Sequence, residues 1–247
     1  MVVLLLSGMV SFAGDKNQAL IDAVLQVNSA KVRKLLGTGA EANATTEEGD
    51  PVLNMAVGKG NLEIIQLLIA KGADLNKADP DGRTPLMLAC MGGDERLISI
   101  LLNKGAKADL TDKFDKTALF FAVDSHSKRV VEIIQDLLRQ GAELNLQDFE
   151  GITPLMIAAA NGDANALKTL LSKGADTKIG ESKDGETALI RAIDAGKTES
   201  VKILLDQGAD PNLRDKRNRT PLGHAKYLGY EAMVELLLKA GANPEPY

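Results

Sequence analysis

The sequence predicts an all-α solenoid of about seven stacked helix-turn-helix units with hairpin loops projecting between them, and three observations carry that reading. Gly-Ala pairs recur at Gly39-Ala40, Gly72-Ala73, Gly105-Ala106, Gly141-Ala142, Gly174-Ala175, Gly208-Ala209 and Gly241-Ala242, spaced by 33, 33, 36, 33, 34 and 33 residues. Thr stands twelve residues after the Gly at Thr84, Thr117, Thr153 and Thr220 and thirteen after it at Thr187, each time with Leu two places further on. An apolar stripe such as Ile64, Ile65, Leu67, Leu68 runs up to the Gly. A fixed period of this length marks a repeat fold, in which one unit cannot cover its own stripe and stacked units can.

The elements follow in order along the chain. Residues 1–14 open with Val2, Val3, Leu4, Leu5 and Leu6 and reach small residues at Ser11 and Ala13, the pattern of a signal peptide cut after Ala13, although no Lys or Arg precedes the run. The other reading is an extra apolar helix packed on the fold. The run is too short for a membrane-spanning helix, which needs about 18 apolar residues. Residues 15–247 then form the repeat domain, with units at about 16–43, 44–76, 77–109, 110–145, 146–178, 179–212 and 213–246, the first a capping unit without its opening turn. Within a unit, Thr of Thr84-Pro85-Leu86 caps a first helix and Pro occupies an early position where its missing N–H costs nothing. A second helix begins near Asn61, Asp94, Asp163 or Thr198 and stops at the Gly, which can take the left-handed conformation. The stretch that follows, such as Asp74 to Arg83, is rich in Asp, Asn, Pro and Gly and predicts an exposed turn or hairpin. The interval of 36 places three extra residues in the turn within 122–129, and one extra residue falls in the loop between Lys178 and Asp184.

Asp79, Gly82, Thr84-Pro85-Leu86, Ala89, Gly93, Leu101-Leu102 and Gly105-Ala106 together resemble one ankyrin repeat, and the resemblance covers nearly the whole chain. With the leader, the chain resembles exported bacterial-type members of that family. The family usually places His after Thr-Pro-Leu, where it ties neighbouring hairpins. Here the place holds Asn54, Met87, Phe120, Met156, Ile190 and Gly223, so a weakened tie is expected, and His224 stands one residue out of register.

Composition narrows the function. The 247 residues carry a net charge of −5, with 45 % hydrophobic and 26 % charged residues, the profile of a soluble globular protein. An acidic balance gives no drive toward nucleic acid, and 3 % aromatics without Trp gives no base-stacking platform. The single Cys90 excludes an internal disulfide. Gly37-Thr38-Gly39-Ala40-Glu41-Ala42 mimics a dinucleotide fingerprint, but such a loop opens a helix after a strand and this one ends a helix. His126 and His224 lie in different units without metal-site spacing, and each reads as a surface or packing residue. Ser125 beside His126 makes no triad context, and Asp79, Asp81 and Gly82 lack the closing Glu of a calcium loop. Asn43-Ala44-Thr45 and Asn218-Arg219-Thr220 fit glycosylation sequons, which matter only in a eukaryotic secretory route. No catalytic residue, cofactor or metal is expected.

The family resemblance implies protein–protein binding through hairpin tips and the concave face of the first helices. Transferred to this chain, those places are Arg83, Met91, Phe114, Lys116, Phe149, Glu150, Ile152, Asn161, Asp194, Arg217, Arg219 and Tyr227. Phe114 and Phe149 weigh most, as exposed aromatics flanked by charge; the competing reading is that they cover each other's hairpins. The basic run Arg214, Lys216, Arg217, Arg219 is either a solvated loop or a dock for an acidic protein surface. The expectation is a non-enzymatic, monomeric scaffold that binds a protein, not nucleic acid, with no membrane insertion of the mature chain. It acts in the periplasm or outside the cell, with the cytoplasm as the alternative. A self-assembling structural protein, suggested by the apolar last helix with Met233, Val234, Leu236, Leu237 and Leu238, and an enzyme with a grafted site are the competing classes.

Overall fold

The computed structural model describes residues 15–244, so the segment 1–14, expected to be a signal peptide, lies outside the described residues. The chain divides into two compact bodies, one ending at Lys113 and the other beginning at Phe114. In the first body, α1 covers residues 15–25 and is followed by α2 (Ser29–Gly37), α3 (Val52–Lys59), α4 (Leu62–Ala70), α5 (Pro85–Gly92) and α6 (Glu95–Asn103). The second holds α7 (Ala118–Asp124), α8 (Val130–Arg139), α9 (Pro154–Asn161), α10 (Ala164–Ser172), α11 (Ala188–Asp194), α12 (Thr198–Asp206), α13 (Pro221–Tyr227) and α14 (Glu231–Lys239). These are seven helix pairs among the described residues, as the period predicts. In the second body α7, α9, α11 and α13 pack in one row and α8, α10, α12 and α14 in another.

The repeated residues set these boundaries. Thr84 accepts a hydrogen bond from the N–H of Met87 at 3.3 Å, Thr153 from Met156 at 3.3 Å, Thr187 from Ile190 at 3.5 Å and Thr220 from Gly223 at 3.1 Å. Thr117 departs from the expectation: it makes no side-chain cap bond, and its buried Oγ1 has no partner. Second helices are capped by Asn61, Asp94 and Asp163, which accept from Ile64, Leu97 and Ala166 at 3.0, 3.1 and 3.0 Å. The seven Gly of the Gly-Ala pairs all have positive φ, between 81° and 97°. That conformation lets the next N–H turn back onto the helix, as Ala106 does onto the Leu101 carbonyl at 3.0 Å. Each partner Ala is buried, so the pair closes a helix and returns the chain to the core in two residues. Ile64, Ile65 and Leu68 in the first body and Leu119, Phe120 and Ile133 in the second are fully buried, and truncating one such side chain costs about 2–5 kcal/mol.

The two length departures fall where the spacing puts them. Residues 125–129 separate α7 from α8, whereas only residues 93–94 separate α5 from α6. Residues 173–187 separate α10 from α11, one more than the 71–84 stretch between α4 and α5.

Four of the hairpins are built around a carboxylate, whereas the first uses Thr46, whose hydroxyl accepts the N–H of Asp50 at 3.2 Å. Asp79 Oδ1 accepts the N–H groups of Asp81 and Arg83 at 2.9 and 2.8 Å, Asp148 those of Glu150 and Ile152, and Asp215 those of Arg217 and Arg219. The longer loop substitutes Glu181, one methylene longer, which accepts from Lys183, Asp184 and Glu186. Consecutive hairpins are then joined through the backbone: Lys113 N–H to Asp81 O at 3.0 Å in the first body, and Phe149 to Phe114, Ser182 to Glu150 and Lys216 to Asp184 at 3.1, 2.8 and 2.7 Å in the second.

At the place after Thr-Pro-Leu the polar tie survives in one repeat, at Asn54. Asn54 donates from Nδ2 to the Arg83 carbonyl of the next hairpin at 2.9 Å, and asparagines four residues after the Gly add a ladder of their own. Asn43, Asn76, Asn145 and Asn212 accept the N–H of Asp74, Lys107, Asp176 and Asn243 at 2.7, 2.9, 2.9 and 2.8 Å.

Candidate functional site

The aromatic pair expected at the hairpin tips is present, in contact and exposed. The Phe114 and Phe149 rings lie 5.6 Å apart at a tilt of 47°, yet the residues remain 50 % and 58 % exposed. The Phe149 N–H to Phe114 carbonyl bond fixes the two tips side by side, so the rings touch without covering each other. Phe121 on α7 and Ile157 on α9 are half-buried on the first helices of the same two repeats.

Ile152 and Glu150 flank Gly151 next to Phe149 and line a cleft of about 350 Å³ with Glu181, Ser182, Lys183 and Arg191. Burial alone would push the Glu181 carboxyl up, but the backbone N–H groups of Lys183, Asp184, Glu186 and Gly185 hold it below the ordinary carboxylate range. Arg191 Nε is buried without a hydrogen-bond partner, and the nearest carboxylate oxygen, on Glu186, is 3.8 Å from its Nη1. The Glu186 carboxyl is raised above its ordinary range, first by burial and then by the Asp194 charge.

The last repeat gathers a second charged group that sequence reasoning passed over. His224 is buried, with Nδ1 2.8 Å from Asp194 Oδ1 and Nε2 3.2 Å from Asp215 Oδ2, which also accepts from Arg219 Nε at 2.7 Å. Burial, the largest single influence, pushes the imidazole down; the hydrogen bond and charge of Asp194, joined by Asp215, outweigh it, and His224 titrates above the ordinary histidine range. His224 is therefore a packing residue that also ties α11 to the last hairpin, although it stands one residue out of the family's register. Asp215 is also partly desolvated, but its Arg219 and His224 bonds hold its carboxyl low.

The basic run is largely spent inside the fold. Arg217 pairs with Asp184 at 2.9 Å, Arg219 with Asp215 and more loosely with Glu186, Arg214 donates to the Asn218 carbonyl, and Lys216 Nζ donates to the Ser182 carbonyl. Among the other expected contact residues, Arg83 pairs with Asp79 and Asp81, Lys116 lies 3.7 Å from Asp148, and Asn161 donates to Asp124 at 3.0 Å. Met91 and Tyr227 are exposed, Tyr227 at 85 %.

Cys90 is buried and its thiol is pushed far up by desolvation. The Asp79 carboxylate is taken up by its own hairpin, and the described residues contain no cluster of His, Cys, Asp and Glu able to hold a metal ion. Both side-chain ends of Asn43 are engaged, with Asp74 and with the Gly72 carbonyl. No helix among the described residues is long and apolar enough to cross a membrane.

Comparison with known proteins matches the sequence to the family described as ankyrin repeats (3 copies) over residues 20–112, 53–148, 121–215 and 155–246. The fold is similar to the ankyrin repeat domain of Bcl-3, a unique member of the IkappaB protein family, with a TM-score of 0.77 and 27 % identity over 89 % of this chain and 97 % of that one. It is equally similar to the human ASB11 ankyrin repeat domain, with a TM-score of 0.78 and 25 % identity over 92 % and 99 % of the two chains.

Proposed function

We propose, from the premise that this chain belongs to the ankyrin-repeat family, that it is a non-catalytic binding domain which grips a protein partner at the hairpin tips and on the exposed side of the first helices. The observation that carries the reading is the Phe114–Phe149 pair: two rings in contact, held on adjacent tips by a backbone bond, and still half exposed. A rigid apolar anchor beside charged neighbours is the composition of a binding hot spot, where truncation costs about 2 kcal/mol or more. The leader at 1–14 supports action outside the cytoplasm, and the mass of the mature N-terminus tests that.

Residues 15–247 serve as bait against extract of the native compartment, beside the same bait carrying Phe114→Ala and Phe149→Ala. The expected result is loss of the captured partner with a melting midpoint close to that of the parent. Retained capture together with a large fall in midpoint assigns the pair to hairpin packing and overturns the proposal. Self-assembly is the second reading, favoured by Tyr227, Leu228 and Leu238 exposed around the last helix pair; a monomer by light scattering removes it.

A further inference from the structure

The cleft beside the aromatic pair carries a more specific statement about the partner, resting on the reading that the tips bind a protein. Of the two cations lining it, Lys183 forms no ion pair among the described residues, and the Arg191 guanidinium forms no hydrogen bond, only the 3.8 Å approach to Glu186. The acids nearby are already committed. Both Glu181 oxygens accept backbone N–H groups, and Glu186 is shared between Arg191 and Arg219 at 3.8 and 3.7 Å. The Arg191 side chain is 35 % exposed and its guanidinium forms no hydrogen bond, so it is under-bonded, and a carboxylate is the acceptor that suits its planar fork. Glu150, next to Phe149 in sequence, and Ile152, three residues after it, line the same cleft, so the apolar tips and the cations adjoin.

We infer that the site takes an extended segment of the partner in which an apolar side chain rests on Phe114 and Phe149 and a single carboxylate, from Asp or Glu, enters the cleft to Arg191 and Lys183. The exposed Glu150 restricts the segment to one acid, because a second carboxylate beside the first would meet an uncompensated like charge.

The test uses synthetic dodecapeptides of Gly and Ser that carry one Leu and, one to four residues away, Glu, Gln or Lys, with binding to residues 15–247 read by fluorescence anisotropy at low salt. The best Glu peptide is expected to bind about tenfold tighter than its Gln counterpart, as a charge-assisted hydrogen bond in a partly dry cleft provides. A second Glu added beside the first gives no further gain. Arg191→Met removes the preference for Glu without lowering the affinity for the Gln peptide, while Arg191→Lys and Lys183→Met each retain part of it. Phe114→Ala with Phe149→Ala weakens the whole series. Equal affinity for Glu and Gln peptides, a preference that survives in Arg191→Met, or no measurable binding of any peptide overturns the inference. Where the preference is absent but dependence on the two Phe persists, the proposed function stands; where the Phe dependence is absent from peptide and native partner alike, both fall.

Discussion

Replacing Gly151 and Gly174 by Ala, one at a time, separates two reasons for glycine that the sequence presents as one. Both residues have positive φ, +80° and +92°, so each variant bears the cost of an L side chain in the left-handed region, about 1–2 kcal/mol. At Gly174 nothing lies within 4 Å of the added Cβ, and that cost is the whole effect. At Gly151 the Cβ falls 2.4 Å from the Ser182 backbone nitrogen and 2.4 Å from its Oγ. The hydroxyl can rotate away, but the nitrogen cannot, and it is the donor of the 2.8 Å bond to Glu150 that joins the two hairpins. The hairpins must therefore separate and that bond is lost. Ser182 is exposed, so water takes up the released N–H and the loss stays near the net value of one hydrogen bond, about 1 kcal/mol, plus displacement of the tip. Gly151→Ala is then expected to destabilise by about 2–4 kcal/mol and Gly174→Ala by about 1–2 kcal/mol. Urea denaturation followed by far-ultraviolet circular dichroism measures both, with similar slopes expected because the buried surface is unchanged. Equal losses, or a larger loss at Gly174, would refute the claim that hairpin contact, and not backbone conformation alone, fixes Gly151.

The threonines make a second pair: Thr117→Val removes a buried hydroxyl that has no partner and is expected to be neutral or stabilising, whereas Thr153→Val removes the cap to Met156 and costs about 1 kcal/mol, both read from thermal melts. His224 predicts a pH dependence of the last repeat. Its folded pKa is raised, so its contribution is complete below the unfolded value near 6.5 and is lost as pH rises through the folded value. Hydrogen exchange in α13 and α14, corrected for the intrinsic rate, should show protection falling as pH rises through that window, and His224→Gln should flatten the trend. Asp215 acts in the opposite sense, its contribution being lost only as pH falls through its depressed value, far from that window.

The repeat fold is legible because its determinants are local. A helix start depends on Thr and Pro at fixed separation and a helix stop on one Gly, and neither needs knowledge of what packs against it, so the period alone recovers the pairs and even places the extra residues at 125–129 and 173–187. The acids of the hairpins were equally within reach, since Asp79, Asp112, Asp148 and Asp215 each stand five residues before Thr, and Glu181 stands six before Thr187 in the loop that is one residue longer. Thr117 escapes the rule because a hydroxyl's rotamer answers to the side chains packed around it. His224 escapes it because its acceptors lie nine and thirty residues away and meet it only when the units stack.

The same logic decides where free charge is found. In linear sequence Arg214, Lys216, Arg217 and Arg219 look like an exposed cationic patch, and Arg191, alone between Ile190 and Ala192, looks inert. Stacking reverses the two. One period away from the basic run stand Asp184 and Glu186, with Asp215 on the same hairpin, and they draw the arginines into ion pairs; one period away from Arg191 stands no acid close enough for a hydrogen bond. In a repeat protein the neighbour that neutralises a charge sits about 33 residues off, so a surface available to a partner has to be sought across units, and in the second body that search ends at the two phenylalanines and the cleft lined by Glu150, Ile152 and Arg191.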